Sequence, residues 1–448
     1  YKKLKVDLVI LNEEENSYTN PLQGLLGDIL SSSHAHDMIN KPGGVFVLKK
    51  SNLPEEDVNL ICAAARVVLK GSAGDLREQL YAKKESNLPQ LKEYKGAIRK
   101  YESKSVESSD MQFFNGIGGF KSDGKEYEIV LKNGITTPLP WSNVISNRNF
   151  GFIVTESGGG YTWNENSREN KLTPWSNDPV SDTLGEIIYV TDDDTGEIWS
   201  ITALPIREKE TYSIIHGFGY SIFRNASHGF EQELTQFVPV DDSTKLSLIK
   251  LKNTSDSPRK LSLYYYIRPV LGVSDQLTAL HISTERHGSG AILVRNTYND
   301  EFAGRIAYVD TSVKDRTFTC DRKEFLAGGS LTNPPGVRRQ KLSETVGACL
   351  DPCVVLGVVL EFKPDEEKEI VFALGEGNSI TEVEKMIGKY RKVEEVKKAL
   401  NEAKEFWKEK LEILQVSTPD KAMDYMLNGW LMYQVLSCRM WTRSAFYQ

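Results

Sequence analysis

The spacing of apolar positions changes character twice along this chain. In the first eighty or so residues, short apolar runs alternate with helix-spaced ones. Val6-Asp7-Leu8-Val9-Ile10-Leu11 and Gly44-Val45-Phe46-Val47-Leu48 read as buried strands. Between them Asn20-Pro21 opens a helix with Leu22, Leu25, Leu26 and Ile29 at helical spacing. Ser51-Asn52-Leu53-Pro54-Glu55-Glu56 predicts a second helix, with a capping residue, a proline in the first turn and acids at the positive end of the dipole. Its stripe runs through Leu60, Ile61, Ala64, Val67, Val68 and Leu69 and stops at Gly71. Residues 1–81 thus read as a small α/β unit, and 82–110, rich in Lys, Glu and Ser, as a linker.

From Phe113-Phe114-Asn115-Gly116 onwards the pattern becomes short apolar or alternating runs punctuated by Gly, Asn, Asp and Pro. Tyr127–Leu131, Glu186–Val190, Leu246–Leu251, Leu261–Tyr266 and Val354–Leu360 are such runs, and Lys132-Asn133-Gly134 and Asp193-Asp194-Thr195-Gly196 are hairpin-type turns. Residues 111–375 therefore predict a large antiparallel β-sandwich. Gly116-x-Gly118-Gly119 lacks the strand–helix setting of a nucleotide fingerprint and reads as turn glycines. After Gly377 the period becomes 3.6. Val383, Ile387, Tyr390, Val393, Val396, Leu400, Ala403, Trp407 and Leu411 form one stripe, opposite a Lys/Glu face. That is a helical linker, one long helix or a pair, over 376–416. Ser417-Thr418-Pro419-Asp420 then caps a further helix carrying Met423, Met426, Leu427, Trp430, Leu431 and Val435.

Composition narrows the function classes. Among 448 residues the net charge is −7 with both signs interspersed, which argues against a nucleic-acid partner. No run is apolar and long enough to span a bilayer, and no secretory signal opens the sequence. The chain begins Tyr1-Lys2-Lys3 without an initiating Met, so an origin inside a longer protein is expected. Five cysteines are too few and too scattered for a disulfide framework. Cys349 and Cys353 have a spacing a metal could use, but no second Cys or His pair accompanies them, and a buried or redox-inert pair is the expectation. His34 and His36 sit in a polar connector and read as a solvated loop and not a ligand pair, while His216 and His228, in strand and turn context, are expected to be structural.

The stretch from Pro140 to Val180 stands apart. It holds Trp141, Trp163 and Trp175, the run Gly158-Gly159-Gly160, Arg168 and several asparagines. Aromatic faces stack on the apolar face of a pyranose, while amides and a guanidinium bond its hydroxyls. The competing reading is that the tryptophans are core and the polar residues are turn chemistry.

Asn428-Gly429-Trp430-Leu431-Met432-Tyr433-Gln434, followed by Ser437-Cys438-Arg439 and Arg443-Ser444-Ala445-Phe446-Tyr447-Gln448, resembles the entry to the catalytic barrel of glycoside hydrolase family 94. Phe114–Phe120, Trp141–Asn147, Tyr161–Arg168 and Leu172–Pro179 carry the same resemblance, which covers nearly the whole chain. Within the family the likeness is to members acting on β-1,2-glucan: the phosphorylase-like region of cyclic β-1,2-glucan synthases, with the 1,2-β-oligoglucan phosphorylases as near neighbours. Asp7–Glu14 and Ala63–Leu69 share that likeness.

The resemblance implies a mainly β fold: the small α/β unit, a large antiparallel β-sandwich, a helical linker, and, over 417–448, the first helix of an α/α six-hairpin barrel. It implies inverting phosphorolysis, with inorganic phosphate as co-substrate and no cofactor or metal. The general-acid Asp is expected beyond Gln448, so no catalytic residue is assigned within the chain, and the chain alone is expected to be inactive. Sandwich loops over the barrel mouth imply substrate-binding candidates by motif: Trp141, Tyr161, Trp163, Arg168, Trp175, Asn177 and Asp178, with Arg168 foremost. Tyr447 and Gln448 adjoin the expected catalytic loop and join that set. The implied partners are β-1,2-glucan or gluco-oligosaccharide and the remaining barrel of the same protein, with a homodimer left open. The implied setting is cytoplasmic, with a soluble region of an inner-membrane protein as one form. A free-standing oligoglucan phosphorylase and a carbohydrate-binding or scaffolding module without chemistry are the alternatives.

Overall fold

The computed structural model describes residues 6–14, 20–33, 35–76, 79, 88–94, 96, 101, 110–299 and 301–442. His34, most of the linker expected over 82–110, and Arg443 to Gln448 lie outside them. The chain divides into two compact units, Tyr1–Ser86 and Asn87–Gln448.

The first unit is a βαβ arrangement. Strands Leu8–Asn12 and Val45–Lys49 pair in parallel, Leu8 opposite Val45, and helix Pro21–Ser31 lies between them in sequence. The second helix is shorter than its apolar stripe predicts, spanning Glu55–Ala64. Ala65 takes an extended conformation at its end, and the β-branched pair Val67-Val68 beyond it favours the same geometry. Leu25, Ile29 and Leu60 stay exposed on these helices.

The second unit is built on a ten-stranded antiparallel sheet. Its strands run, in spatial order, Ile282–Arg286, Ile292–Asn296, Ile306–Thr311, Glu367–Gly377, Thr244–Asn253, Phe230–Phe237, Tyr220–Ser227, Tyr212–Gly217, Glu126–Leu131 and Gly118–Phe120. A five-stranded sheet centred on Arg259–Ile267 and a three-stranded sheet, Ser142–Ser146, Phe150–Thr155 and Gly160–Asn164, complete the β structure.

Period-two alternation lets the large sheet bury both faces. Ile249, Leu251, Ile370, Phe372 and Leu374 face the core shared with Phe150, Phe152, Trp199 and Tyr265. Leu246, Leu248, Val371 and Ala373 point the other way, onto Val383, Ile387, Val396 and Ala403. The helical linker is a pair, Ile380–Tyr390 and Val393–Leu411. Ser379 caps the first by accepting from the Glu382 N–H, and Glu382 accepts from the Asn378 N–H in return. Between the two, Arg391 bonds both oxygens of buried Asp310 and pins the break to the sheet.

The last helical stretch begins at Lys421, capped by Asp420, and continues through wider turns over Met426–Trp430 and Val435–Met440. Trp430 and Tyr433 pack with Trp407 and Leu411 of the linker and with Phe218 of the sandwich.

The predicted strands are present, but one turn differs in use. Asn133 and Gly134 both have positive φ, as a tight turn demands, yet the turn passes the chain from the ten-stranded sheet to the three-stranded one. The five cysteines are unpaired, and Cys349 is exposed while Cys353 is buried, so they do not form a buried pair.

Candidate functional site

The three-stranded sheet presents its inner face to the core through Phe150, Phe152 and Val154. Gly151 clears room for Trp163: a Cβ there would stand 2.6 Å from the indole. Trp163 is consequently buried, and its Nε1 finds no acceptor among the described residues. Tyr161 lies two residues earlier in the same strand and is half-buried. Its ring centroid is 5.3 Å from Trp163 and 5.1 Å from Trp175. Burial raises the pKa of the Tyr161 phenol, opposed by a hydrogen bond with Ser167. Tyr161, Trp163 and Trp175 are thus one aromatic group, of which Tyr161 and Trp175 remain partly accessible.

The loop after this strand is closed by its own side chains. Asn166 Oδ1 accepts the backbone N–H groups of Arg168 and Glu169, at 2.9 and 3.0 Å, an Asx-type turn. Asn164 N–H bonds Asn170 O, and Ser167 N–H donates to Thr442 O at 3.1 Å. The loop therefore touches the end of the last helical stretch. Arg168 projects from it with its side chain 67% exposed, 3.4 Å from Glu169.

The other candidates are placed differently. Trp141 packs edge-on to Tyr127, its N–H donates to Glu156, and its carbonyl faces His216 Nε2. It is apart from the Tyr161 group. His216 is buried, which pushes it down to about 4 and keeps it neutral. Asn177 takes a left-handed conformation, and Asp178 accepts the N–H groups of Val180 and Ser181. The hydrogen bond from the Ser181 hydroxyl, then those two N–H groups, hold the Asp178 carboxyl below its usual range. Both residues are exposed turn formers. Tyr447 and Gln448 lie outside the described residues.

Residues not singled out in the sequence prove to hold the region together. Lys245 reaches Glu186, whose other oxygen accepts from Thr162 and Thr173 on the strand bearing Tyr161 and the segment leading to Trp175. Glu376 accepts from both Asn164 and Asn170. Its only sequence signal is a charge where the inward-facing row Ile370, Phe372, Leu374 would continue. A separate cleft of about 440 Å³ opens between Phe218, Tyr220, Lys404 and Tyr425, away from these residues. Among the described residues no three His, Cys, Asp or Glu side chains gather as a metal site, and no helix is long and apolar enough to cross a membrane.

Residues 125–393 match the Glycosyl hydrolase 94 supersandwich domain, and residues 406–448 match the Glycosyl hydrolase 94 superfamily catalytic domain. The chain belongs to glycoside hydrolase family 94. The supersandwich match takes in the five- and three-stranded sheets and all of the ten-stranded one except Gly118–Phe120, and the catalytic-domain match takes in the end of the second linker helix and the last helical stretch. Among its relatives, the cyclic beta-(1,2)-glucan synthase NdvB of Rhizobium meliloti (strain 1021) is 32% identical over 465 residues, covering 99% of this chain and 16% of its own length. The N,N'-diacetylchitobiose phosphorylase of Vibrio furnissii is 28% identical over 73% of the chain and 42% of its own length. The 3-O-beta-D-glucopyranosyl-beta-D-glucuronide phosphorylase of Paenibacillus borealis is 24% identical, over 71% and 41%. The chain therefore spans less than half the length of these relatives.

Proposed function

We propose that this chain is the sandwich, linker and barrel-entry part of a phosphorylase-like region acting on β-1,2-glucan within a cyclic β-1,2-glucan synthase. The observation that carries the reading is the alignment with NdvB over 99% of the chain, which takes in the first unit as well as the sandwich. The phosphorylase relatives align over about three quarters of it.

In this reading a phosphate oxygen bonds to the anomeric carbon as the β-glucosidic C–O bond breaks, and an acid outside these 448 residues protonates the departing oxygen. Inversion yields α-glucose 1-phosphate and a glucan shortened by one unit, so repeated turnover trims chain length. Phosphate is already an anionic nucleophile, so no base is required to activate it. The chain's own part is a wall of the sugar site. Tyr161 and Trp175 offer partly exposed aromatic rings, and the exposed Arg168, which follows the Ser167 bonded to Thr442, offers guanidinium donors to hydroxyls or to phosphate. A cytoplasmic setting, as a region of an inner-membrane protein, goes with this reading.

The test is release of glucose 1-phosphate from β-1,2-gluco-oligosaccharides and inorganic phosphate by the complete protein. The 448-residue chain should bind the oligosaccharide and release none. Glucose 1-phosphate from a β-1,4 or β-1,3 substrate alone would overturn the linkage. Binding by the complete protein without any phosphorolysis would favour the carbohydrate-binding module instead.

A further inference from the structure

Glu376 ends a row that is otherwise core. Ile370, Phe372 and Leu374 alternate inward along strand Glu367–Gly377, and Glu376 takes the next inward place, 2% exposed. An aliphatic side chain there would continue the core at no electrostatic cost. A carboxylate must be desolvated, and it brings polar partners inside with it. Its Oε2 accepts the Asn164 amide at 2.8 Å and the Asn170 amide at 2.7 Å. Each asparagine is 1% exposed, and each leaves its own Oδ1 without a partner among the described residues. Arg305 and Glu165, the charged groups near this carboxylate, are spent on each other at 2.6 Å. A cluster so poorly balanced is a poor choice for stability alone.

What the cluster does is join the two ends of one loop. Asn164 and Asn170 are its first and last residues, and both are tied to the same oxygen of a strand in the large sheet. Between them every backbone N–H has an acceptor: Asn149 O for Glu165, Asn164 O for Asn166, Thr442 O for Ser167, Asn166 Oδ1 for Arg168 and Glu169, and Asn166 O for Asn170. Arg168 is the exposed cation this closed loop presents. We infer that Glu376 is a positioning residue: through the Asn164 and Asn170 amides it fixes the loop whose Ser167 N–H bonds Thr442 O, within the catalytic-domain match, and from which Arg168 projects. This rests on the reading of Arg168 as a glucan or phosphate ligand. Glu376 itself touches no substrate.

The test uses the 448-residue chain, β-1,2-gluco-oligosaccharide as the probe, and amide hydrogen exchange of the segment 164–170. Glu376→Ala should speed exchange in that segment at least tenfold, leaving strands Tyr220–Ser227 and Phe230–Phe237 protected. It should weaken oligosaccharide binding to within twofold of Arg168→Ala, and the double variant should bind no worse than Arg168→Ala alone. Glu376→Gln, which keeps one oxygen for the two amides, should restore both loop protection and binding. If Glu376→Ala does not fold, Asn164→Ala, whose amide bonds Glu376, supplies the same comparison with one tether removed. Unchanged exchange in the loop overturns the inference, as does a double variant whose losses multiply. If Arg168→Ala leaves binding intact, the sugar reading of Arg168 fails, and with it the purpose assigned to Glu376. The exchange result still decides whether Glu376 orders the loop.

Discussion

In the segment 141–147 the amides of Asn143 and Asn147 donate to the carbonyls of Gly217 and Tyr220, and of Pro239 and Asp242. Asn147 also accepts from the N–H groups of Asn149 and Phe150, closing its hairpin. In the segment 161–175 the buried asparagines instead tether a loop that leaves Arg168 in solvent, next in sequence to the Ser167 that bonds Tyr161. Both segments mix tryptophan with amides. In the first, the amides finish the packing of the three-stranded sheet against the large one. In the second, they hold still a surface that faces outwards. The difference lies in where each amide's partner sits, on the backbone of the large sheet's strands and turns or on a carboxylate beneath a loop.

Trp163→Ala empties a buried indole site and should cost about 3–5 kcal/mol in a urea or thermal melt. Trp175→Ala, at a partly exposed ring, should cost much less.

Glu376 comes next. Burial raises its pKa to about 7 from the ordinary glutamate value of 4.5, opposed by the hydrogen bonds from Asn164 and Asn170. The folded chain therefore keeps this proton up to about pH 7, while the unfolded chain releases it near 4.5. Between those values the folded state binds more protons, so the contribution falls as pH rises and levels off above pH 7. The loss across the window is up to about 3 kcal/mol. Glu376→Gln should remove that slope in melts recorded from pH 4.5 to 8 and leave the remaining pH dependence in place.

Arg168→Ala should leave the melt within about 0.5 kcal/mol of wild type, since its ion pair with Glu169 is exposed. It should still weaken oligosaccharide binding about tenfold, near 1.4 kcal/mol, in a calorimetric titration. The smallest effect is expected at Asn177→Gly. The left-handed backbone there suits glycine equally, so stability should change by only a few tenths of a kcal/mol and binding not at all.

The fold was readable because its signals are local and repeated. Leu246 to Leu251 is a short apolar-rich run of strand length, Ser379 to Glu382 caps a helix, and Val383 to Leu411 keeps one apolar face across a break. The break itself was not fixed by the pattern, because the stripe is continuous through Tyr390 and Val393. What separates the helices is Arg391 turning to Asp310, a contact made across 81 residues. Helix Glu55–Ala64 shows the opposite failure, where an apolar stripe ran on past the point at which the backbone left the helix. The site was legible as composition and not as arrangement. Nothing in Trp141 and Trp175 distinguishes a ring packed against Tyr127 from one beside Tyr161. Glu376 was invisible because its partners lie more than 200 positions away and because an acid between two glycines reads as a turn.

The loop carrying Arg168 is proposed to form a wall of a phosphorolytic sugar site. The most direct test is the steady-state phosphorolysis of β-1,2-gluco-oligosaccharide by the complete protein, wild type against Arg168→Ala. The wild type should release glucose 1-phosphate, and the variant should show at least a tenfold fall in kcat/KM with folding unchanged. Equal kcat/KM in the two proteins would contradict it.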